Sequence, residues 1–501
     1  MVKGKVFLVG AGPGDAQLIT VKGLECIQTA DVILYDRLVN PLLLEHARPE
    51  AELIYCGKLP DRHILRQESI NQLLVDKGLE GKNVVRLKGG DPSVFGRVGE
   101  EAEALARHQI DFEIVPGITS GIAAPAYAGI PVTHREYGSS FAVVTGHDKS
   151  KEGKPTIDWS ALASGVDTIA FYMGVGNLGY ITSQLCLYGR SPKTPVILIQ
   201  WGTLGRQNVL EGTLETITAK AEEVGFENPA ITLVGDIVSI RKKIQWFEKK
   251  PLKGRQVLIA RTGTNRGKLA EALTKQGAEV FEYPRMQAES LISETSFIKT
   301  IEQVARYTNM LFTSPESVEF FFRGLRHYQI DIRSVQATFY AGSVKSKRAL
   351  EAYGCIANVI DNVNMDVGDW LVIGERDYEK EQRFQYMGDY LAVYKTSAVK
   401  QSNETFRRLR QENTLNTVVF PSARAVTNLV ETVRAQGEDP SQLLADAAVI
   451  CMGSRSFVAA KQAGFNVAST SKTPSIADVI DSIQEQVQTN KEREEVEIVI
   501  K

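Results

Sequence analysis

The stretch VFLVGAGPGDAQLITVKG, Val6–Gly23, sets a short β-branched run against a glycine-rich turn and then a helix-like segment. Nucleotide-binding α/β domains begin in this way, so the fold and the ligand turn on how these glycines are read. A dinucleotide fold wants G-x-G-x-x-G, with bare backbone amides facing a pyrophosphate. Here the glycines are Gly10, Gly12 and Gly14, and Asp15 holds the place of the third fingerprint glycine. An acid there repels a pyrophosphate, and Pro13 removes a backbone N–H from the turn that should donate. No G-K-[ST] follows, which excludes a P-loop. The turn suits a ligand that approaches the backbone closely without phosphates, including one that carries positive charge. Taken alone, it reads equally well as a tight strand-to-helix turn with no ligand.

Outward from this turn the chain repeats the same grammar. Apolar runs alternate with helix-like segments at 6–10, 31–36, 83–90, 112–117, 141–146, 168–174, 195–202 and 230–238. Runs rich in β-branched residues that end in Gly or Pro specify an α/β fold with a partly parallel sheet. Ligands of such sheets sit outside the carboxyl ends of the strands, where most of these glycines fall. The pattern breaks at RKKIQWFEKKPLKGRQ, 241–256, whose charge, Pro251 and Gly254 predict a connector between domains. Strand signals restart at QVLIAR, 256–261, and recur to FNVAST, 465–470. Within this second part, LFTSPESVEFFF (311–322) precedes FYAGSVKSKRALEAYG (339–354), and VFPSARAVTNLV (419–430) precedes CMGSRSFVAAKQAGF (451–465). Both units run strand, Ser-containing turn, helix, strand, Gly-Ser turn, helix, which predicts two similar α/β lobes.

Length and composition bound the rest. The 501 residues exceed one ordinary core, so two or more domains are expected. With 43% hydrophobic and 24% charged residues and a formal net charge of −2, nothing general favours nucleic acid, and an anionic ligand must be met by local basic groups. Cys26, Cys56, Cys186, Cys355 and Cys451 are far apart, with no CxxC, and suggest neither a zinc site nor a disulfide framework. They read as buried small hydrophobes in a reducing cytoplasm, and no metal is expected. MVKGKVFLVGAGPGD lacks a signal peptide's apolar core, and no stretch approaches the roughly 20 apolar residues of a membrane span.

Two more motifs accompany the first turn. RLKGGDPSVFGRVGEEAEAL (86–105) places a Gly-Gly-Asp-Pro turn after a strand and acids in the first turns of a helix, which suits the helix dipole. Gly89 and Gly90 allow close backbone approach, and Asp91 can accept from ribose hydroxyls or oppose a sulfonium. VPGITSGIAAPAYAGIPVTHR (115–135) is almost all small residues, as a segment wrapping a flat or bulky ligand requires, and ends in His134 and Arg135, which could meet carboxylates.

With AGPGD (11–15), ADVILYDRLVN (30–40), Gly57-Lys58, VVRLKGGDP (84–92), VFGR (94–97), VPGITS (115–120), YAGIPVTHR (127–135), TGH (145–147) and YMG (172–174) in order, residues 3–247 resemble uroporphyrinogen-III C-methyltransferases of the tetrapyrrole methylase fold. One departure is Ser93, where that family usually has an aromatic residue after GGDP. The resemblance implies S-adenosylmethionine as methyl donor and two methylations of uroporphyrinogen III, through precorrin-1 to precorrin-2, for sirohaem or cobalamin. It implies cofactor contacts at Pro13, Gly89, Gly90, Asp91, Val94, Thr119, Ser120, Met173, Gly202 and Ala230, with Pro229 beside the adenine. Asp36, in LYDRL, matches the family's proposed general base, and Lys58, in CGKLP, its proposed general acid. Without the family, Asp36 reads as a cap and Lys58 as a solvated charge. Arg37, Arg86, Lys88, Arg97, His134 and Arg135 are candidates for the acceptor's carboxylates, which an arginine fork binds bidentately. The family also implies a homodimer.

Residues 253–486 resemble uroporphyrinogen-III synthases through VLIAR (257–261), LFTSPESV (311–318), VYKTS (393–397) and Gly-Ser turns before helices, although PSARAV (421–426), AGSVKS (341–346) and MGSRS (452–456) are eroded versions of the family's turns. This resemblance implies closure of hydroxymethylbilane with inversion of ring D, without a cofactor, in a cleft between lobes. Tyr394 matches the tyrosine proposed to assist loss of the hydroxyl, and otherwise reads as a half-buried strand aromatic. Thr313, Ser314, Ser422, Ser454 and Ser456 match turn positions that could bind carboxylates, and each is otherwise a turn former. The expected organisation is therefore a methyltransferase over 1–247, a linker over 248–254, a two-lobed synthase over 255–486 and a charged tail over 487–501. Competing readings are another methylase of the same fold, acting on later corrins or on RNA, and a C-terminal half that only binds or dimerises.

Overall fold

The run before the glycine turn forms β1 (Lys5–Gly10), which lies inside a five-stranded sheet. The computed structural model describes residues 3–57, 66–147, 153–264, 267–360, 368–384, 386–399 and 415–486. Beside β1 stand β2 (Val32–Tyr35), β3 (Glu52–Tyr55), β4 (Val84–Lys88) and β5 (Asp111–Val115), in the order β3-β2-β4-β1-β5. Every pairing is parallel. Alternation sends Val6 and Leu8 into one core with Leu74 and Leu105, and Val9 into another with Ile27 and Ile33. Over the inner strands β2, β4 and β1 both faces are covered, which is why these read as continuous apolar runs.

The second sheet holds β6 (Phe141–Thr145), β7 (Thr168–Tyr172), β8 (Pro195–Gln200), β9 (Asn208–Thr213) and β10 (Ala230–Val234), in the order β6-β7-β10-β8-β9. Only the β6–β7 pair is parallel. The two sheets together are the α/β methylase-type half expected from the sequence.

The C-terminal half is two-lobed, and the chain leaves the first lobe, builds the second and returns. β11 (Gln256–Ala260) and β12 (Glu279–Tyr283) join β19 (Thr417–Phe420), β20 (Ala448–Cys451) and β21 (Val467–Thr470) in an all-parallel sheet, β12-β11-β19-β20-β21. Between them, β13 (Met286–Ser290), β14 (Asn309–Phe312), β15 (Thr338–Ala341), β16 (Ala357–Val359), β17 (Trp370–Glu375) and β18 (Asp389–Ala398) make the other sheet, β13-β18-β17-β14-β15-β16. The internal echo has a structural counterpart. β14 and β15 pair parallel and lead into helices Pro315–His327 and Val344–Ala352, as β19 and β20 lead into Ala423–Ala435 and Ser454–Gln462.

Four strands escape the sequence pattern: β3, β9, β13 and β16. Each is the edge of its sheet. An edge can tolerate polar residues on its open side, and in these four the apolar signal fades, whereas the edge strands β5, β6, β12 and β21 keep it. The connector also differs from expectation. Arg241 is buried against Glu211 and Glu248, Phe247 and Leu252 are buried, and Trp246 Nε1 donates to Ala126 O at 3.0 Å. Its charges thus clothe a segment packed on the N-terminal half. Among the cysteines, Cys26, Cys56 and Cys451 are buried, whereas Cys186 and Cys355 are only partly so. Among the described residues, no helix is long and apolar enough to cross a membrane.

Candidate active sites

The parallel sheet ends in loops that must satisfy their own backbone. Gly12 N donates to Gly90 O at 3.2 Å and Gly90 N to Gly12 O at 2.7 Å, which ties the first glycine turn to the Gly-Gly-Asp-Pro turn. A Cβ on Gly10 would fall 2.6 Å from Gly117 Cα, and one on Gly117 would fall 2.4 Å from Gly90 O, so three loops cross where only glycines fit. Gly90 has φ +72°, and a Cβ there would project into open space with Thr119 Cα and Ser120 N 4.0 Å away.

Above this crossing is a cavity of about 570 Å³, within the ordinary range for a small-molecule site. Its wall brings together Pro13, Gly89, Gly90, Asp91, Val94, Thr119, Ser120, Met173, Gly202, Pro229 and Ala230, together with Asp36, Arg37, Arg86, Lys88 and Arg97. Phe95, Arg97, Met173 and Trp201 on this wall have φ of 55°, 59°, 56° and 49°. Left-handed backbone at non-glycine residues costs about 1–3 kcal/mol each and tends to persist where function holds it. Trp201, Phe95 and Tyr172 also line this wall, although none was singled out as a site residue, and the Tyr172 hydroxyl accepts from Gly121 N at 2.5 Å and stands 2.5 Å from Thr119 Oγ1.

Several acids play parts the sequence did not foresee. Asp91 lines the cavity, but Oδ2 accepts from Gly117 N at 2.9 Å and Oδ1 from Ser93 N at 2.7 Å, so its carboxylate braces the loop crossing. Asp15 accepts from Gln17 N and from Tyr127 Oη, each at 2.9 Å, and caps a turn below the cavity. Asp36 combines both readings: Oδ1 accepts from Leu38 N at 3.0 Å, and Oδ2 lies 3.7 Å from Arg86 Nη2.

The basic candidates divide. Arg86 and Lys88 are buried and reach the fully buried Glu101 at 3.3 and 2.7 Å, and burial lowers the pKa of Lys88. Arg97 forms a fork with Glu100. Arg37 lies over the Trp201 ring, 5.6 Å from its centroid. His134 and Arg135 do not line the cavity. His134 pairs with Gly138 through backbone bonds and its Nδ1 accepts from Glu136 N at 3.1 Å, so it is a turn residue. Lys58 lies outside the described residues.

In the C-terminal half, each lobe carries serine-capped helix N-termini. Ser314 caps Pro315–His327, accepting from Ser317 N, and its Oγ is 2.9 Å from Tyr394 Oη. Burial pushes the Tyr394 phenol well above the usual tyrosine range, so it holds its proton at neutral pH. Thr313 Oγ1 donates to Ile373 O at 3.2 Å. From the other lobe, Ser422 caps Ala423–Ala435, and Arg424 crosses to Glu375 at 3.1 Å and Asp377 at 2.7 Å. Ser422, Arg424, Ser454, Ser456 and Lys472 line a shallow basic hollow. Ser456 is buried, with its hydroxyl donating to Gly453 O at 2.9 Å. Arg424 lies inside the turn PSARAV but was passed over for Ser422, and Lys472 belongs to no turn the sequence singled out.

Residues 5–218 match the tetrapyrrole (corrin/porphyrin) methylases, and residues 267–367 and 380–481 match uroporphyrinogen-III synthase HemD. The chain is 45% identical over 453 residues to a uroporphyrinogen-III C-methyltransferase of Bacillus subtilis (strain 168), covering 90% of this chain and 92% of that one. It is 34% identical over 509 residues to the porphyrin biosynthesis protein HemD of Ruminiclostridium josui, covering 97% and 98%. Among solved structures it is similar to uroporphyrin-III C-methyl transferase from Thermus thermophilus complexed with S-adenyl homocysteine, at 38% identity and a TM-score of 0.41, covering 47% of this chain and 100% of that one.

Proposed function

Because this chain belongs to the tetrapyrrole methylase family, in a two-part form whose second half is a HemD-type uroporphyrinogen-III synthase, we propose that it makes and then methylates uroporphyrinogen III on one polypeptide. The C-terminal half cyclises hydroxymethylbilane with inversion of ring D. The N-terminal half transfers two methyl groups from S-adenosylmethionine, yielding precorrin-2 for the sirohaem and cobalamin branches. The observation that carries the site assignment is the single cavity into which Pro13, Gly89, Gly90, Val94, Thr119, Ser120, Met173, Gly202 and Ala230 all open, beside Asp36.

Its residues suit that donor. The wall is glycine backbone, small hydroxyls and apolar side chains, and the open space over Gly90 lets a nucleoside lie against the chain. S-Adenosylmethionine supplies a methyl group on a sulfonium, a good electrophile. The protein holds the acceptor carbon in line with it, which is where most of the barrier reduction arises. Asp36, whose Oδ2 lies 3.7 Å from Arg86 Nη2, takes the proton that leaves the alkylated macrocycle. Lys58 is carried as general acid by the resemblance alone. Arg37, and Arg97 on exchange from Glu100, hold acceptor carboxylates; Arg86 and Lys88 are held instead by the buried Glu101.

In the synthase half, a protonated Tyr394, oriented by Ser314, donates to the departing hydroxyl of hydroxymethylbilane, which leaves as water. The amides and hydroxyls at Thr313, Ser314, Ser422 and Ser454, with Arg424, receive the flexible polyanion's carboxylates. We further place the protein in the cytoplasm, consistent with free cysteines, and read the methylase half as a homodimer. Exposed Phe112 and Ile114 on the edge strand β5, with Ile118 and Ile122 nearby in sequence, support that pairing. The deciding assay supplies hydroxymethylbilane and S-adenosylmethionine and follows product mass and isomer. Two methyl groups on the type III ring are expected; type I product alone overturns the synthase assignment, and no methylation of supplied uroporphyrinogen III overturns the other.

A further inference from the structure

The loop from Trp201 to Gln207 has two sides. On one, Trp201, Gly202 and Leu204 line the methylase cavity. On the other, the C-terminal half is seated: Gly254 N donates to Gly205 O at 2.7 Å, and a Cβ on Gly205 would fall 2.4 Å from Glu279 N at the start of β12. Arg206, nine-tenths buried, lies 3.3 Å from the buried Glu279 carboxylate, which also accepts from Gln256 Nε2 at 2.8 Å. The same guanidinium stacks on the Trp201 ring, 4.0 Å from its centroid, and that ring also carries Arg37.

A second contact repeats the arrangement. Arg285 donates to Glu45 O at 2.9 Å and Arg261 lies 3.6 Å from the Glu45 carboxylate. Glu45 belongs to the turn Pro41–His46, whose cap Asn40 lines the cavity and donates to Gly14 O at 2.7 Å. Trp201 and Thr203 sit at φ 49° and 73°, a backbone that persists only where its surroundings hold it.

We propose that Glu279, in the synthase half, is a positioning residue for methyl transfer: through Arg206 it sets the Trp201 ring, and through that ring the Arg37 guanidinium that meets the acceptor. The reason is geometric. The Glu279 carboxylate draws the guanidinium by charge, with Nε at 3.3 Å, and a guanidinium held 4.0 Å over an indole face couples its own position to that of the ring. The inference rests on reading the cavity as the methyl-transfer site with Arg37 on the acceptor's side.

The test uses the full chain. Glu279→Ala, Glu279→Gln, Arg206→Leu and the Glu279→Ala/Arg206→Leu pair are assayed for methylation of supplied uroporphyrinogen III, for cyclisation of hydroxymethylbilane and for thermal midpoint. Glu279→Ala and Arg206→Leu are each expected to raise KM for uroporphyrinogen III about three- to tenfold with kcat within about twofold. Each single change lowers the midpoint, because it leaves a buried charge without its partner, while cyclisation assayed well below that midpoint stays at the parent value; Glu279→Gln recovers part of the KM, and the pair is no worse than the worse single change. An unchanged KM, additive effects, or a joint fall of both activities and the midpoint overturns the proposal. Absence of methylation by the unsubstituted chain would instead overturn the reading of the cavity on which it rests.

Discussion

Single side chains in this protein often do two things, and the atoms separate them. Asp36 is both a turn residue, through Oδ1, and a carboxylate facing the cavity, through Oδ2. Asp36→Asn preserves the turn acceptor and removes the base, so methyl transfer is expected to fall by about a hundredfold or more with cofactor binding retained. A rate within a few-fold of the parent would leave Asp36 as a turn residue only. Tyr394 is decided by burial. Its phenol is held above the ordinary range, near ~10 for a free tyrosine, so the proton donor persists through that range. Tyr394→Phe is expected to slow cyclisation by about a hundredfold. The parent's rate should show no falling limb near the free-tyrosine value; a limb there, absent from the Phe variant, would contradict the burial argument. Asp91 and Ser456 line their cavities while their polar atoms also brace the local backbone, through Gly117, Ser93 and Gly453.

At the scale of elements, the site is a crossing of loops. The turns after β1, β4 and β5 meet at Gly10, Gly90 and Gly117, with Asp91 as the brace. Gly117→Ala places a methyl group 2.4 Å from Gly90 O, and relieving that contact must move the wall of the cavity. The strain of such overpacking is about 1–3 kcal/mol. S-Adenosylhomocysteine affinity, measured by calorimetry, should weaken about tenfold or more, with cyclisation unchanged; equal affinity would show that the loops yield at no cost. The glycines and strands that build this crossing were legible because close backbone approach and two-sided burial leave strong marks on composition. The edge strands β3, β9, β13 and β16 were not, because polar residues on the open side dilute the apolar pattern there.

Across the whole molecule, burial couples tyrosines to stability. The Tyr283 phenol is pushed up to about 12 by burial, and Tyr127, Tyr390 and Tyr394 are also raised. The folded chain therefore holds these protons more tightly than the unfolded chain, whose tyrosines titrate near ~10. Stability from this source is complete below ~10 and is lost as pH rises toward about 12. Urea midpoints should fall across that window, more steeply than for Tyr283→Phe, and a midpoint independent of alkaline pH would rule the coupling out.

The sequence by itself determined the α/β class, the two lobes of the second half and the motifs that gather in the methylase cavity. Those depend on local rules: strand periodicity, glycine where backbones touch, serine where helices begin. The tertiary structure decided everything that depends on which charge stands beside which. It put Arg86 and Lys88 on Glu101. It laid Arg424 across the lobe cleft, and Glu279 of one half against Arg206 of the other. A charged side chain's partner is chosen by the packing of elements far apart in the chain, and no local pattern records that choice.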